Sequence, residues 1–75
     1  MLYFYENKAI ITQALFNALK TTAEGVNIAE MNYQQLTNGD ELVTIIYDNG
    51  YRNTINVSAD SGVALMRDVL RGIVL

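Results

Sequence analysis

Glu41 to Gly72 reads ELVTIIYDNGYRNTINVSADSGVALMRDVLRG, and this stretch decides the fold. Leu, Val, Thr, Ile, Ile and Tyr in Glu41 to Asp48 are residues enriched in strands, Asn49-Gly50 is a hairpin turn, and Tyr51 to Val57 returns as a second strand. A two-residue loop would put Leu42 and Ile46 on one face with Tyr51, Ile55 and Val57. A three-residue loop, Asp48-Asn49-Gly50 with Gly50 left-handed in a bulge, would instead gather Val43, Ile45, Tyr47, Tyr51, Ile55 and Val57, leaving Thr44, Arg52, Thr54 and Asn56 opposite. The second register is preferred because it collects six apolar residues on one face rather than five. Leu42 and Ile46 are then surplus, so the first of these strands carries apolar side chains on both faces and is expected at the centre of a sheet.

After the hairpin, Ser58 reads as the N-cap of a helix, with Asp60 in the first turn and Arg67 and Arg71 toward the other end, where the helix dipole favours each sign of charge. Ala59, Gly62, Val63, Met66, Leu70 and Ile73 are expected to form its buried stripe, with Leu65 and Val69 outside it and Gly72 marking the end.

Upstream, Val26 to Leu36 supports two readings. Asn27 followed by Glu30 has the spacing of a capping box, whereas Ala29, Met31 and Tyr33 alternate with Glu30, Asn32 and Gln34 at the strand period. The strand is preferred because Thr37-Asn38-Gly39-Asp40 is a turn cluster placed to fold this segment back onto the next one. Before it, Asn7 is expected to cap a helix running from Lys8 to about Glu24, with Gly25 just past its end. Ile11, Ala14, Leu15, Ala18 and Leu19 share one face of that helix, Ile10 and Phe16 flank it, and Gln13, Asn17, Lys20 and Glu24 form a polar stripe. Met1 to Glu6 fits a short strand or an extended arm lying against a sheet edge or a neighbouring subunit.

The expected architecture is therefore a single α+β domain of the order αβββα, a three-stranded antiparallel sheet with both helices on one face. Its expected core is Ile11, Leu15, Leu19, Met31, Tyr33, Val43, Ile45, Ile55, Val57, Val63, Met66 and Leu70. A chain of 75 residues buries only roughly 60–65% of its unfolded surface, so small domains lean on disulfides, metals or association. With no Cys and no His, disulfides and imidazole or thiolate metal sites are excluded. Association remains, and 51% apolar against 17% charged residues points to apolar surface shared with another chain.

Eight acids against five bases give a net charge of −3 with no run of either sign, which offers no footprint for a nucleic-acid backbone. No apolar run approaches the roughly eighteen residues of a membrane span, and MLYFYEN lacks the basic and small-residue features of a signal peptide. With no Cys, a cytoplasmic protein is expected.

Catalysis finds little material. Ser-His and Cys-His pairs are impossible. Ser58 and Ser61 with Lys8 and Lys20 fall where caps and solvated helix faces would place them, and Asp40-Glu41, the one adjacent carboxylate pair, reads as a solvated hairpin loop. The five glycines lie ten or more residues apart, which excludes a glycine-rich phosphate loop. No cofactor is expected.

The strand LVTIIYDNG, the return strand ending TINVS, the Ser-initiated acidic turn and the short helix closing near Gly72 resemble the type II-A anti-CRISPR proteins of prophages. The resemblance covers Glu41 to Gly72 and implies a small αβββα protein that binds the Cas9 nuclease and blocks its access to DNA. That family's dense acidic surface has no counterpart here, so no functional residue is carried over. The expected function is a non-enzymatic protein-binding module acting on a larger protein partner; the alternative is a homo-oligomeric accessory subunit, such as a dimer. The candidate interface is Tyr3, Phe4, Tyr5, Leu42, Ile46, Asp48, Asn49, Tyr51, Arg52, Leu65 and Val69.

Overall fold

The computed structural model describes residues 7–73. Helix α1 (Lys8–Leu19) is followed by strands β1 (Ile28–Gln35), β2 (Glu41–Tyr47) and β3 (Arg52–Asn56) and by helix α2 (Gly62–Gly72). The strands form an antiparallel meander in the order β1-β2-β3, so β2 is central as expected. Met1 to Tyr5, including the candidate residues Tyr3, Phe4 and Tyr5, lies outside the described residues.

Two turns of the same construction set the register. In each, three residues close the loop, an Asn side chain accepts a backbone N–H two residues on, and a Gly with positive φ follows the Asn. In the first, Leu36 N donates to Asp40 O at 2.7 Å, Asp40 N donates to Asn38 Oδ1 at 2.9 Å, and Gly39 has φ 94°. In the second, Tyr47 N donates to Tyr51 O at 2.9 Å, Tyr51 N donates to Asn49 Oδ1 at 3.0 Å, and Gly50 has φ 88°. This is the three-residue register, with Val43 opposite Ile55 and Ile45 opposite Asn53. Side-chain alternation then turns Val43, Ile45 and Tyr47 inward toward the helices.

Segment 26–36 contains a strand, over Ile28–Gln35, with Val26 and Asn27 in a turn and a bulge between Ile28 and Glu30. The extra residue is Ala29, so Ile28 takes the inward place that plain alternation would have given Ala29, and Ala29 is exposed.

Helix α1 begins at the expected cap, Asn7 Oδ1 accepting from Ile10 N at 3.1 Å, but stops at Leu19 rather than near Glu24. Thr21 and Thr22 end it: their hydroxyls donate to Ala18 O at 2.7 Å and Leu19 O at 2.6 Å, capturing carbonyls that a continuing helix would use. Gly25 then packs so closely on Leu19 that a Cβ would lie 2.1 Å from Leu19 O. The buried face is also turned, from Ala14 and Ala18 toward Thr12 and Phe16. Gln13 and Lys20 explain the rotation. Gln13 Nε2 donates to Met31 O at 3.0 Å and Lys20 Nζ to Ile28 O at 2.9 Å, which holds α1 along β1 through polar contacts to its carbonyls.

Helix α2 differs from expectation in both start and phase. Its N-cap is Ser61, whose side chain accepts from Ala64 N at 3.2 Å. Ser58 is engaged elsewhere, accepting from Glu41 N at 2.8 Å. Leu65 and Val69, expected outside the stripe and named as interface candidates, are fully buried, while Val63 is 73% and Leu70 47% exposed and Met66 is half-buried. Gly62, Leu65, Val69 and Ile73 form one apolar stripe; Val63, Met66 and Leu70 form another, displaced by about 100°, one residue step on a helix. Sheet contacts choose between them. Gly72 faces Ile55 so closely that a Cβ would lie 2.8 Å from Ile55 Cδ1, and Asn53 Nδ2 donates to Gly72 O at 2.6 Å.

Glu41, expected in a solvated loop, is instead a junction. Lys8 Nζ donates to Glu41 Oε1 at 2.8 Å and to Val57 O at 2.9 Å, and Tyr33 Oη donates to Glu41 Oε2. The first residue of α1 and Tyr33 of β1 thus meet on one carboxylate, and Lys8 links that carboxylate to the backbone at the exit of β3. Lys8 and Tyr33, in that order, hold its acid below the ordinary 4.5, and the same carboxylate, followed by burial, pushes the Tyr33 phenol upward.

Two outcomes follow from the phase of α2 and from this junction. Leu65→Ala is expected to cost about 3 kcal/mol and Leu70→Ala about 0.5 kcal/mol, measured by chemical denaturation. Because the folded-state pKa of Glu41 lies below its unfolded value, its contribution is present above the unfolded value and lost as pH falls through the folded one. Glu41→Gln should therefore lower the melting temperature at pH 7, with the gap to the native chain closing as pH falls below 4.5.

Candidate interaction surface

One face of the sheet is covered by the helices; the other is left open by the described residues. In three cross-strand rows it presents Glu30, Ile46 and Arg52, then Asn32, Thr44 and Thr54, then Gln34, Leu42 and Asn56. The outer strands contribute exposed polar side chains, and β2 contributes half-buried Leu42, Thr44 and Ile46 along the centre. The hydroxyls of Thr44 and Thr54 lie 3.2 Å apart, a cross-strand hydrogen bond on this surface. Leu42 and Ile46 cannot join the core, because the register that buries Val43, Ile45 and Tyr47 turns their neighbours outward. An apolar centre framed by amides, hydroxyls and one charge of each sign has the layout of an apolar core with a polar rim.

At one end this face meets the β2–β3 tip. Asp48, Asn49, Tyr51 and Arg52 are all exposed, with Arg52 on the open face and Tyr51 turned to the helix side. The Tyr51 ring lies 5.7 Å from that of Tyr47, centroid to centroid, with the planes at 44°. Around them is a cleft of about 530 Å³ lined by Glu24, Asn27, Tyr47, Asp48, Asn49 and Tyr51. Asp48 N donates to Asn27 O at 2.9 Å, so the turn and the α1–β1 loop are joined as two walls of the same cleft.

Of the candidate residues, then, Leu42, Ile46 and Arg52 share the open face, and Asp48, Asn49 and Tyr51 share the cleft. Leu65 and Val69 belong to the core. Glu24 and Asn27 join Tyr47 and the tip without any signal in the sequence. Glu24 and Asn27 lie on either side of Gly25-Val26, and the close seating of Gly25 on Leu19 is a tertiary fact with no periodic signature.

Other polar groups serve structure. Lys8 and Lys20 are engaged with carbonyl oxygens, and Ser58 and Ser61 accept backbone N–H groups. Asp60 and Asp68 form a carboxyl pair near the start of α2. Asp60 is pushed upward, first by its hydrogen bond with Asp68 and then by burial, while Asp68 is lowered chiefly by that same bond. Neither lines the cleft at the tip. Among the described residues no three His, Cys, Asp or Glu side chains converge on a metal position, and no helix is long and apolar enough to cross a membrane.

The tip depends on its left-handed glycine. Nothing lies within 4 Å of a Cβ built on Gly50, so the strain of Gly50→Ala is of the backbone alone. The substitution should cost about 1 kcal/mol in denaturation, with amide shift changes centred on Tyr47 to Tyr51.

No protein-family model, curated protein or solved structure matches this chain.

Proposed function

We propose that this chain is a non-enzymatic protein-binding module that acts by covering a site on a larger protein partner with the open face of its sheet. The observation that carries this reading is the placement of Leu42 and Ile46. They are half-exposed on the central strand of a face that no described helix covers, and the core is complete without them. Apolar side chains at the centre of a polar-rimmed patch are the usual anchors of a protein interface. Nucleic acid is a poor partner for this face, where Glu30 and Arg52 offset one another in the same row.

A narrower form of the proposal is an inhibitor of a host or defence protein of the kind encoded by phages and prophages, such as a CRISPR nuclease, acting in the bacterial cytoplasm. It is supported by the resemblance of Glu41 to Gly72 to the anti-CRISPR hairpin-helix unit and by the αβββα order of the elements. A cysteine-free chain is compatible with a reducing compartment.

A second reading, a homo-oligomeric accessory subunit, is favoured by the helix layer. Val63 and Leu70 on α2 and Ile10 on α1 are exposed large apolar residues on the side opposite the open sheet face. The two readings use different surfaces, which makes them separable. Under the first, a tagged chain retains a stoichiometric partner from bacterial lysate, and Leu42→Ser with Ile46→Thr weakens capture about tenfold or more, whereas Val63→Ser with Leu70→Ser does not. Loss of a concentration-dependent mass in light scattering only in the helix variants, with no partner captured, would favour the second reading and sink the first.

A further inference from the structure

We propose that the cleft at the β2–β3 tip receives a guanidinium group, the side chain of an arginine presented by the protein partner. The inference rests on the binding-module reading and adds the chemistry that the partner must bring.

Among the described residues the lining is acidic, aromatic and amide-bearing, with no basic member. Glu24 comes from the α1–β1 loop and Asp48 from the β2–β3 turn, two carboxylates on two separate walls of one cleft of about 530 Å³. Both are exposed. Among the described residues the ion pairs are Lys8–Glu41 and Arg67–Asp68, and neither Glu24 nor Asp48 takes part in them. Tyr47 and Tyr51 line the same cleft, tilted 44° to one another, the second of them 54% exposed. An exposed aromatic face beside unpaired carboxylates attracts a cation by its quadrupole and by direct charge.

Charge and shape narrow the ligand. An anion would meet two carboxylates. A metal ion would find too few ligands, since no group of three or more His, Cys, Asp or Glu is present among the described residues. A planar guanidinium can stack on a tyrosine ring while its N–H groups point outward to carboxylates, whereas an ammonium is a point charge without a plane to stack. The walls are fixed in advance: Asp48 N donates to Asn27 O at 2.9 Å and Tyr51 N to Asn49 Oδ1 at 3.0 Å. Little ordering of the site is then needed on binding.

The test is a titration of the isotopically labelled full chain with Nα-acetyl-arginine amide, followed by amide NMR shifts, with the neutral isostere Nα-acetyl-citrulline amide and with Nα-acetyl-lysine amide in parallel. Saturable shifts confined to 24–27 and 47–51, stronger with arginine than with lysine and lost with citrulline, are expected. Tyr51→Leu should weaken arginine binding about 2- to 5-fold, and Glu24→Gln with Asp48→Asn should reduce the response to that of citrulline. Equal responses to citrulline and arginine, or no saturable response at these residues, would overturn the inference; lysine matching arginine would overturn the choice of guanidinium. Because the probe is a blocked amino acid, a failed capture of partner would leave a positive titration standing. Capture without an arginine response would remove the cleft inference alone.

Discussion

The register of β2 against its two neighbours is the constraint on which the rest of this small protein depends. It is imposed twice by the same local chemistry, a three-residue loop with an Asn that accepts a backbone N–H and a glycine in the left-handed region that follows it. A slip of one residue at either turn would exchange the two faces of β2, burying Leu42, Thr44 and Ile46 and exposing Val43, Ile45 and Tyr47. The same register carries Glu41 to Lys8 and Tyr33. Turn chemistry therefore determines not only a hairpin but also the polar junction that ties α1 to the sheet.

With so limited a core, polar contacts complete what packing begins. Lys8, Gln13 and Lys20 on or just after α1 each reach a backbone carbonyl of a strand or of the chain beside it. These contacts set which side of α1 faces the sheet and leave small alanines outward. On α2 the corresponding role belongs to absence of bulk: Gly72 lets the helix end approach Ile55, and Asn53 secures its carbonyl. Both helices are thus oriented by a few specific contacts as well as by their apolar stripes.

Function follows from what this arrangement leaves over. The core takes one face of the sheet, so Leu42 and Ile46 are presented on the other, and the turn that sets the register also carries Tyr51 and Asp48 into a cleft with Glu24. The apolar centre runs along β2 on the open face, and the acidic, aromatic cleft lies beside the tip where that face ends. Both support the proposal of a protein that works by contact.

The linear sequence by itself determined the α+β class, the order αβββα, the central place of β2, the three-residue register of its hairpin and the cap of α1. Each of these is governed by local rules: strand alternation, Asn-Gly turns and side-chain caps. The same rules leave Leu42, Ile46, Leu65, Val69, Tyr51 and Arg52 unused, and of these the fold takes Leu65 and Val69 into the core. Tertiary structure alone decided the ends and phases of the helices. Thr21 and Thr22 could have continued α1 but capture its last carbonyls instead, Ser58 could have capped α2 but serves Glu41, and α2 carries two stripes of similar character. Periodicity cannot choose between such stripes, because both satisfy it; the seat of Gly72 on Ile55 makes the choice, burying Leu65 and Val69. The bulge at Ala29 and the meeting of Glu24 with the hairpin tip are likewise products of packing, since the residues involved are brought together across the chain rather than along it.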